Sequence, residues 1–499
     1  MVRIHLELLK LLLAAAMGLA APASLAQAAP SPVVARYVVM GQDGARIARV
    51  LTTAATCDSL DALGPGGRRR SLPLTLRQPA GTVPARSHSD VGSKGKPAVF
   101  PVSVCEATVP ADVVRIQSDG VALPLPPARI DRIVVIGDTG CRLKQSEKAY
   151  QDCNDAAAYP FRRIAQHAAD WKPDLVVHVG DYLYRESPCP DDRPGCAGSP
   201  DGYGWEAWNA DLFTPGAPLL QAAAWVAVRG NHEDCARAGV GWFRLMDARP
   251  FTPGRDCLDP GGDVEADYTP PFAVPIGGGA QVIVLDLTAV GEKPLAADSR
   301  RAAQVAETYD AMAALSKQGG FTFVANHKPI LGFGATEANG TSQLRPGNLG
   351  AQAVLASKSP NLFPETVQVL LSGHIHIWEQ LSYATPHPSQ FITGFSGTLE
   401  DVPTIPEHPG ATDTPAPGAV LESFSVWNGQ FGYMTLERQA TDRWAATVHD
   451  ADGQALLKTI VALRERSLKH QASFISLINL DDVWVVFNLR EDELAAVKI

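Results

Sequence analysis

The sequence predicts an α/β protein built of layered strands and helices, preceded by a small all-β region. From residue 128 onwards, six short and fully apolar runs alternate with helical or loop stretches. Such runs are typical of strands that are buried on both faces of a sheet. Ahead of them, residues 31–127 contain short β-like runs broken by Gly and Pro, which is the pattern of an all-β domain.

The strands predicted for the main domain are RIVVIG (132–137), LVVHVG (175–180), AWVAVRG (224–230), QVIVLDL (281–287), FTFVAN (321–326) and VQVLLSG (367–373). Helices are predicted over 157–171 and 299–318. Strands alternating with helices in this way predict α/β layers.

The chain of 499 residues exceeds the size of a single core, so we expect more than one domain. The predicted segments are a signal peptide (1–28), an all-β N-terminal domain (31–127), a main domain (128–465) and a C-terminal tail (466–499). The runs between 421 and 463 are typical of β-hairpins, with turns at Asn428-Gly429 and Asp452-Gly453. The long loops at 186–218 and 401–418 are candidates for lining a binding site.

The first residues have the pattern of a secretory signal. Arg3 and Lys10 precede or flank the apolar block LLLAAAMGLAA, and Ala26-Gln27-Ala28 has the small-x-small form of a cleavage site. A retained membrane anchor is the alternative, but the block is shorter than the roughly 20 residues that a span needs. No later segment is long and apolar enough to cross a bilayer. We therefore expect a secreted or periplasmic protein without an integral membrane segment after signal removal.

The formal net charge is −10, which argues against nonspecific binding to nucleic acid or to an anionic membrane. All eight cysteines follow the predicted signal, and an even count in an oxidising compartment predicts disulfides. Zinc binding is the weaker alternative, because no C-x2-C spacing is present. The spacing favours sequential pairing, namely Cys57 with Cys105, Cys141 with Cys153, Cys189 with Cys196, and Cys235 with Cys257.

Five of the six predicted strands end directly in residue types that bind metals. In open α/β sheets, ligands gather outside the carboxyl ends of the strands, so these residues are expected to converge. Glycine lies beside the polar residue in four of the five cases and lets the backbone turn sharply. The residues are Asp138, Asp181, Asn231 with His232, His327, and His374 with His376.

Each of these strand ends is a weak signal alone. A Gly-Asp pair after a strand is more often a turn than a metal site, and an Asn-His pair is usually a helix cap or a hydrogen-bonded core pair. The segment His374-Ile375-His376 is stronger, because alternate residues of an extended segment point to opposite faces and can reach two metals. All five in one chain, each after an apolar run, predict a metal site.

Five short blocks carry a resemblance to a known family. GDTG (137–140), GDYLY (180–184), GNHE (230–233), VANH (324–327) and GHIH (373–376) resemble the signature blocks of the calcineurin-like metallophosphoesterases. The Gly-Asp-x-x-Tyr form of the second block resembles purple acid phosphatases. The resemblance implies a four-layered α/β/β/α sandwich with a dinuclear metal site, and an all-β domain ahead of it also recurs in that group.

Carried over by position, the resemblance assigns each ligand. The first metal would be held by Asp138, Tyr184 and His376, the second by Asn231, His327 and His374, and Asp181 would bridge the two. Two carboxylates and a phenolate suit Fe(III), whereas one shared carboxylate, an amide oxygen and two imidazoles suit divalent Fe, Zn or Mn. A packing role for Tyr184 is the alternative to ligation.

Two such metals can clamp a phosphate and generate hydroxide for attack on phosphorus. His232 resembles the family histidine that contacts the phosphate and protonates the leaving oxygen. Its alternative role is to hydrogen-bond to the metal ligands without contacting the substrate. The sequence thus predicts an exported phosphatase that acts on small phosphate monoesters. The alternatives are a phosphodiesterase with the same metal core, a binding protein whose metals are structural, and iron-dependent redox chemistry at Tyr184.

Two further expectations concern the surroundings of the site. Purple acid phosphatases commonly carry additional histidines after the fourth block, whereas KPILGFGATEANG follows His327 here, so contacts to the leaving group are expected to differ. His178, inside a predicted strand, is expected to be a buried and hydrogen-bonded histidine. Lys328, His387, Trp205 and Trp208 are weaker candidates for lining a pocket.

Overall fold

The computed structural model describes residues 31–86, 96–338, 340–400, 402–410, 412–429, 431–463, 472–480 and 483–487. The predicted signal peptide lies outside the described residues. From Val33 onwards the chain forms one compact unit. Among the described residues, none of the helices has the length and apolar character that a membrane span requires.

The N-terminal region is built of strands, as predicted. They are β1 (Val33–Met40), β2 (Arg46–Thr52), β3 (Ser59–Leu63), β4 (Arg69–Pro73), β5 (Thr75–Gln78), β6 (Gly81–Val83), β7 (Ala98–Phe100), β8 (Ser103–Val109), β9 (Arg115–Ser118) and β10 (Val121–Leu123). β1, β2, β8 and β5 are neighbours in one sheet, β10, β9, β3 and β4 form a second, and β6 pairs with β7.

The main domain alternates strands with helices. Its first part comprises β11 (Arg132–Ile136), β12 (Leu143–Lys144), β13 (Ala149–Tyr150), α1 (Phe161–Asp170), β14 (Leu175–His178), α2 (Trp205–Trp208), α3 (Ala217–Ala222), β15 (Ala224–Ala227), α4 (Gly239–Leu245) and α5 (Asp263–Ala266). Its second part comprises β16 (Phe272–Pro275), β17 (Ala280–Val284), α6 (Arg300–Ser316), β18 (Phe321–Ala325), β19 (Gly334–Ala338), β20 (Thr341–Arg345), α7 (Leu349–Lys358), β21 (Val369–Ser372), β22 (Trp378–Tyr383) and β23 (Ser389–Thr393).

Six further strands complete the described chain: β24 (Leu421–Trp427), β25 (Gly432–Ala440), β26 (Arg443–Asp450), β27 (Ala455–Leu463), β28 (Ala472–Leu480) and β29 (Val483–Phe487). All six strands predicted for the main domain and both predicted helices are present, and their ends differ from the predicted ones by at most four residues. The fold is therefore α/β with a β-rich N-terminal region, as the sequence predicted.

Two large sheets dominate the structure. One has twelve strands in the order β29-β28-β27-β26-β25-β11-β14-β15-β1-β2-β8-β5, and the other has seven in the order β16-β17-β18-β21-β23-β22-β24. β1 pairs in parallel with β15, where Val39 lies opposite Trp225. The N-terminal strands thus continue the sheet of the main domain, and the domain boundary near residue 127 stays a prediction.

The two sheets pack face to face between layers of helices. Phe323 of β18 and Trp444 of β26 meet edge to face, with ring centroids 5.3 Å apart. α1 buries Phe161 and Ile164 in the same core, on the side of the twelve-stranded sheet. α6 and α7 pack against the seven-stranded sheet, where Met312 and other apolar residues form a second core. Because large sheets bury both faces in this way, the result is the predicted four-layered sandwich.

One predicted hairpin is not formed. The Asn428-Gly429 turn does not join paired strands, because β24 pairs with β22 in the seven-stranded sheet, whereas β25 pairs with β11 and β26 in the twelve-stranded sheet. The Asn428 side chain instead accepts from Ile405 N at 2.9 Å and donates to Ile405 O at 3.0 Å. The turn therefore carries the chain from one sheet to the other. The second predicted turn, Asp452-Gly453, does join an antiparallel pair, β26 and β27.

The four disulfides have the predicted sequential pairing: Cys57–Cys105, Cys141–Cys153, Cys189–Cys196 and Cys235–Cys257. No free cysteine remains. Three of these bridges begin three to eight residues after Asp138, His232 or Asp181 and so tie down the loops that follow the strand ends.

Candidate metal centre

The carboxyl ends of parallel strands bring the predicted residues to one edge of the sandwich. β11, β14 and β15 are parallel neighbours in one sheet, and β18 and β21 are parallel neighbours in the other. Parallel strands end at the same edge, so the loops that follow them meet there. The polar residues predicted from the strand ends therefore gather in one place, although they are spread over some 240 residues of sequence.

The backbone turns sharply at three of these strand ends. Asp138, Asp181 and His374 have φ of 56°, 58° and 72°, in the left-handed region that costs a non-glycine residue about 1–2 kcal/mol. Gly180 has φ of 104°, and a Cβ there would lie 2.6 Å from His327 Nδ1. Strain concentrated at three neighbouring positions is typical of a functional site.

The Tyr184 hydroxyl is the centre of the first group. Its oxygen lies 2.7 Å from Asp138 Oδ1, 2.8 Å from Asp181 Oδ2 and 2.9 Å from His376 Nε2. Asp138, Asp181 and Tyr184 are all at most 1% exposed. The His376 Nε2 atom is also 3.4 Å from Asp138 Oδ1, so the four donor atoms surround a single position.

The hydrogen-bond acceptors of the first group outnumber the protons that the group can donate. His376 Nδ1 donates to Leu399 O at 2.9 Å, which leaves a lone pair on Nε2. Ionised carboxylates only accept, so the single phenolic proton serves three acceptors. Burial, followed by the charges of Asp138 and Asp181, raises the pKa of Tyr184 well above its usual value. A cation would satisfy these converging lone pairs, and an oxygen-rich anionic set of this kind fits a hard metal ion.

The second group is formed by Asp181, Asn231, His327 and His374. His327 Nε2 lies 3.0 Å from Asn231 Oδ1 and 3.1 Å from Asp181 Oδ2. His327 Nδ1 donates to Val179 O at 2.9 Å, so Nε2 again faces the other donors with its lone pair. The ligand atoms of Asp181, His327 and His374 all lie within 4.8 Å of one another. One carboxylate, one amide oxygen and two imidazoles fit a divalent ion.

Asp181 belongs to both groups. Its Oδ2 faces Tyr184 and His327 from the two sides, and its Oδ1 accepts from His232 N at 2.8 Å. Burial would raise the pKa of Asp181, but the adjacent His327, together with the His232 backbone N–H, outweighs burial and holds that pKa well below its usual range. The structure thus brings together all seven residues that were predicted to bind metals, in two groups that share Asp181.

His232 lies over this centre without belonging to either group. Its ring is 3.9 Å from that of Tyr184, and Nε2 is 3.8 Å from Asp181 Oδ2. Burial, followed by the charge of Arg237, lowers the pKa of His232, which favours the neutral ring. Arg237 Nη2 donates to Nδ1 at 2.6 Å, and Glu186 Oε1 is 3.3 Å from the same nitrogen. Leu183 O, an acceptor, is 3.2 Å from Nδ1, but Arg237 can only donate and is the nearest partner of Nδ1. This closest contact favours a proton on Nε2, the atom that faces the centre.

Two buried carboxylates that were not predicted hold the loop between Asp181 and Tyr184. Glu233 accepts from the backbone N–H groups of Asp181, Tyr182 and Leu183 at 2.9–3.2 Å. Asp211 accepts from Tyr184 N at 2.8 Å and from Arg185 Nε at 2.6 Å. Glu233 stands in the GNHE block and was therefore visible as a candidate. Asp211 lies in a short π-helical segment, Asn209–Phe213, within the stretch predicted as a long loop, and has no comparable signal.

The weaker candidates have structural roles. His178 is buried, as predicted: Nε2 lies 3.0 Å from Thr139 Oγ1, Nδ1 accepts from Gly180 N, and the ring stacks on Tyr182 at 3.8 Å. Burial lowers the pKa of His178 well below its usual value, which keeps the ring neutral. Trp205 and Trp208, which were candidates for a pocket wall, are instead part of the hydrophobic core.

Comparison with known proteins agrees with this geometry. Residues 131–378 match the family model of the calcineurin-like phosphoesterases, and that range contains all eight predicted site residues. No curated protein matches the sequence.

Among solved structures, the chain is similar to the purple acid phosphatase PPD1 from seeds of yellow lupin (Lupinus luteus). The TM-score is 0.52 at 11% identity, over 85% of this chain and 73% of the lupin chain, and this similarity is one of fold. GAP50, the anchor in the inner membrane complex of Plasmodium, matches at a TM-score of 0.39 and 13% identity, over 68% of this chain and 90% of its own.

The family model spans every strand end that carries a predicted site residue. Residues 131–378 are therefore a calcineurin-like phosphoesterase domain, and the chain resembles the purple acid phosphatases in fold.

Proposed function

We propose that the protein is an exported phosphatase that hydrolyses phosphate monoesters at a pair of metal ions. The observation that carries this proposal is the convergence on the Tyr184 hydroxyl of Asp138, Asp181 and His376, three acceptors that share one proton. Asp181 extends this group to a second set of lone pairs on Asn231 and His327. Two adjoining groups with a shared carboxylate are suited to two cations.

The donor chemistry supports different ions at the two positions. Asp138, Asp181 and Tyr184 offer hard anionic oxygens, which favour Fe(III), and His376 completes that set. Asn231, His327 and His374, together with the shared Asp181, favour divalent Fe, Zn or Mn. Phenolate ligation by Tyr184 needs loss of its proton, which a trivalent ion would drive because its charge offsets the burial of the oxygen.

The metal pair and individual residues of this chain have different roles in the proposed hydrolysis. A bound metal pair supplies positive charge that orients a phosphate and activates water for attack on phosphorus. His232 holds a proton at Nε2 on the side of the centre and is placed to give it to the leaving oxygen. Arg237 and Glu186 act behind it, because their contacts with Nδ1 set the orientation of the ring and the position of its proton.

Export is supported by two observations of different kinds. The predicted signal peptide directs the chain across a membrane. The four disulfides that follow it are typical of oxidising compartments such as the periplasm or the extracellular space.

The test of the proposed function is hydrolysis by the purified protein of p-nitrophenyl phosphate and of its bis-ester. We expect faster turnover of the monoester, and loss of activity on both substrates after chelation. Asp181→Asn removes the shared carboxylate and should abolish activity together with bound metal, while Asp310→Asn, at an exposed helical position, should leave both unchanged. Faster turnover of the bis-ester would assign a phosphodiesterase instead. An Asp181→Asn variant as active as wild type would indicate a structural metal site.

A further inference from the structure

Among the described residues, the Glu292 carboxylate lies next to His374, on the side where the second group is exposed to solvent. The side chain of His374 is 26% exposed, whereas that of His327 is 1% exposed, so solvent reaches the centre past His374. On that side, Glu292 Oε1 lies 3.7 Å from His374 Nε2, and the Glu292 side chain is 61% exposed. Glu292 therefore places negative charge where the centre opens to solvent.

The position of this carboxylate is set by its neighbours. Asn348 Nδ2 donates to Glu292 Oε1 at 3.0 Å and to Gly291 O at 3.2 Å. Asn348 is itself held, because its Oδ1 accepts from Ala351 N at 2.8 Å and caps helix α7. Hydrogen bonds from one anchored amide to both the side chain and the backbone of the loop hold the Glu292 carboxylate at this side of the centre.

In the part of the chain that the structure describes, four buried cations near the centre are committed to other contacts. Lys328 Nζ lies 3.7 Å from Glu292 Oε1, but its side chain is largely buried and it donates to Val290 O at 2.7 Å. Its charge therefore holds the Glu292 loop and is not offered to solvent. Arg142 and Lys144 both pair with Glu147, and Arg237 pairs with Glu186. The exposed carboxylate that lies beside His374 is that of Glu292.

We infer that Glu292 selects substrates by the charge of the leaving group, and that the preferred substrates are phosphate monoesters of amino alcohols. This inference rests on the proposed function. A phosphate held between the two groups directs its ester substituent towards solvent, past His374 and Glu292. A primary ammonium on that substituent is attracted to the carboxylate, and a carboxylate there is repelled. Exposed ion pairs of this kind change binding by about two- to fivefold.

The test compares three substrates that differ in the charge of the leaving group: 2-aminoethyl phosphate, propyl phosphate and 3-phosphooxypropanoate. In the metal-loaded wild-type protein we expect kcat/KM to be highest for the amine and lowest for the carboxylate. Glu292→Gln should reduce the ratio of amine to propyl ester about two- to fivefold. Glu292→Lys should invert the order of the amine and the carboxylate.

Glu365→Gln and Glu365→Lys are the matched controls. Glu365 is an exposed carboxylate that precedes β21, at the opposite end of that strand from His374, and both substitutions should leave the ratios unchanged. The expected effect is a change of ratio, so a general loss of stability or of active protein does not reproduce it.

Binding without turnover separates this inference from the proposed function. Calorimetry with 2-aminoethylphosphonate and propylphosphonate should give tighter binding of the amine to wild type, and a smaller difference for Glu292→Gln. Equal ratios in wild type, Glu292→Gln and Glu292→Lys would overturn the inference. Loss of bound metal from Glu292→Gln would also overturn it, because the carboxylate would then be a ligand. Absence of turnover with all three esters would count against the proposed function, and the binding comparison would still decide on Glu292.

Discussion

The Tyr184 hydroxyl lies 2.7 Å from Asp138 Oδ1, although the two residues are 46 positions apart and follow different strands. β11 and β14 are parallel neighbours, so the residues after their carboxyl ends are adjacent in space. The same hydroxyl contacts Asp181 and His376, and one proton cannot satisfy all three acceptors. This relationship makes Tyr184 the residue on which the assignment of a hard, trivalent ion depends.

Replacement of Tyr184 by Phe tests that assignment. The ring is buried and would be retained, so we expect the fold to change in stability by only about 1 kcal/mol. Loss of a residue that only hydrogen-bonds to a metal ligand already lowers metal affinity about tenfold or more. Tyr184 is proposed to bind the metal itself, so metal affinity at the first position should fall at least about tenfold. A visible absorption band from tyrosinate to Fe(III) should be present in wild type and absent in the variant. Metal analysis and a visible spectrum of the purified proteins provide the measurement.

Tyr182→Phe is the matched control, because Tyr182 lies in the same loop and donates to Val228 O, away from the metal donors. Its spectrum should equal that of wild type. A colourless and fully active wild-type protein that contains zinc or manganese alone would contradict the iron assignment but not the hydrolase assignment.

His232→Asn tests the proton donor. We expect kcat to fall about 10²- to 10⁴-fold, the usual contribution of a general acid, with metal content unchanged because His232 belongs to neither group of ligands. Steady-state kinetics and metal analysis measure the two quantities. His387→Asn changes a buried histidine in the loop between β22 and β23 and should leave kcat unchanged. Equal loss of metal and activity in His232→Asn would assign His232 to the metal site instead.

The convergence of the candidate ligands could be predicted because parallel strands convert distant sequence positions into neighbours. Asp138, Asp181 and His327 each follow an apolar run that is typical of a buried strand. Parallel strands end at the same edge of a sheet, so the residues that follow them lie close together. The four disulfides followed from spacing alone. Patterns that repeat along a strand, or that mark its end, are local in the sequence, so strands and their ends can be predicted from them.

Contacts that depend on the path of long loops could not be predicted. Arg237 reaches His232 Nδ1, and Asp211 reaches the backbone of Tyr184, through irregular segments whose course no periodic pattern records. The Asn428-Gly429 turn has the composition of a hairpin, but the pairing of the strands around it was decided by two different sheets. Glu292 likewise gained its position from Asn348, 56 residues away.

Metal exchange tests whether the chemistry needs iron. If the protein is a hydrolase, chelation should abolish phosphatase activity, and zinc alone should restore much of it, because attack on phosphorus requires charge and not electron transfer. Activity and metal content after reconstitution with zinc, manganese or iron provide the measurement. Recovery with iron alone, accompanied by dependence on a reductant, would favour redox chemistry at Tyr184.

The pair of Glu186 and Arg237 predicts how stability depends on pH. Burial alone would raise the pKa of Glu186, but the charge of Arg237 outweighs burial and lowers it to about 2. The unfolded value is about 4.3. Since the folded pKa lies below the unfolded value, the carboxylate stabilises the fold fully above about pH 4.3, and this contribution is lost as the pH falls towards 2. The shift corresponds to about 3 kcal/mol at neutral pH.

Urea unfolding of wild type and Glu186→Gln, both without metal, measures this contribution. Metal-free protein is needed because metal binding itself depends on pH. At pH 7 the variant should be less stable by an amount of the order of 3 kcal/mol, since it also leaves the buried Arg237 without its charge partner. The difference should shrink steadily between about pH 4.3 and 2.5, while Glu365→Gln should match wild type throughout. A difference between wild type and Glu186→Gln that stays constant over this range would show that Glu186 is not held as a carboxylate by Arg237.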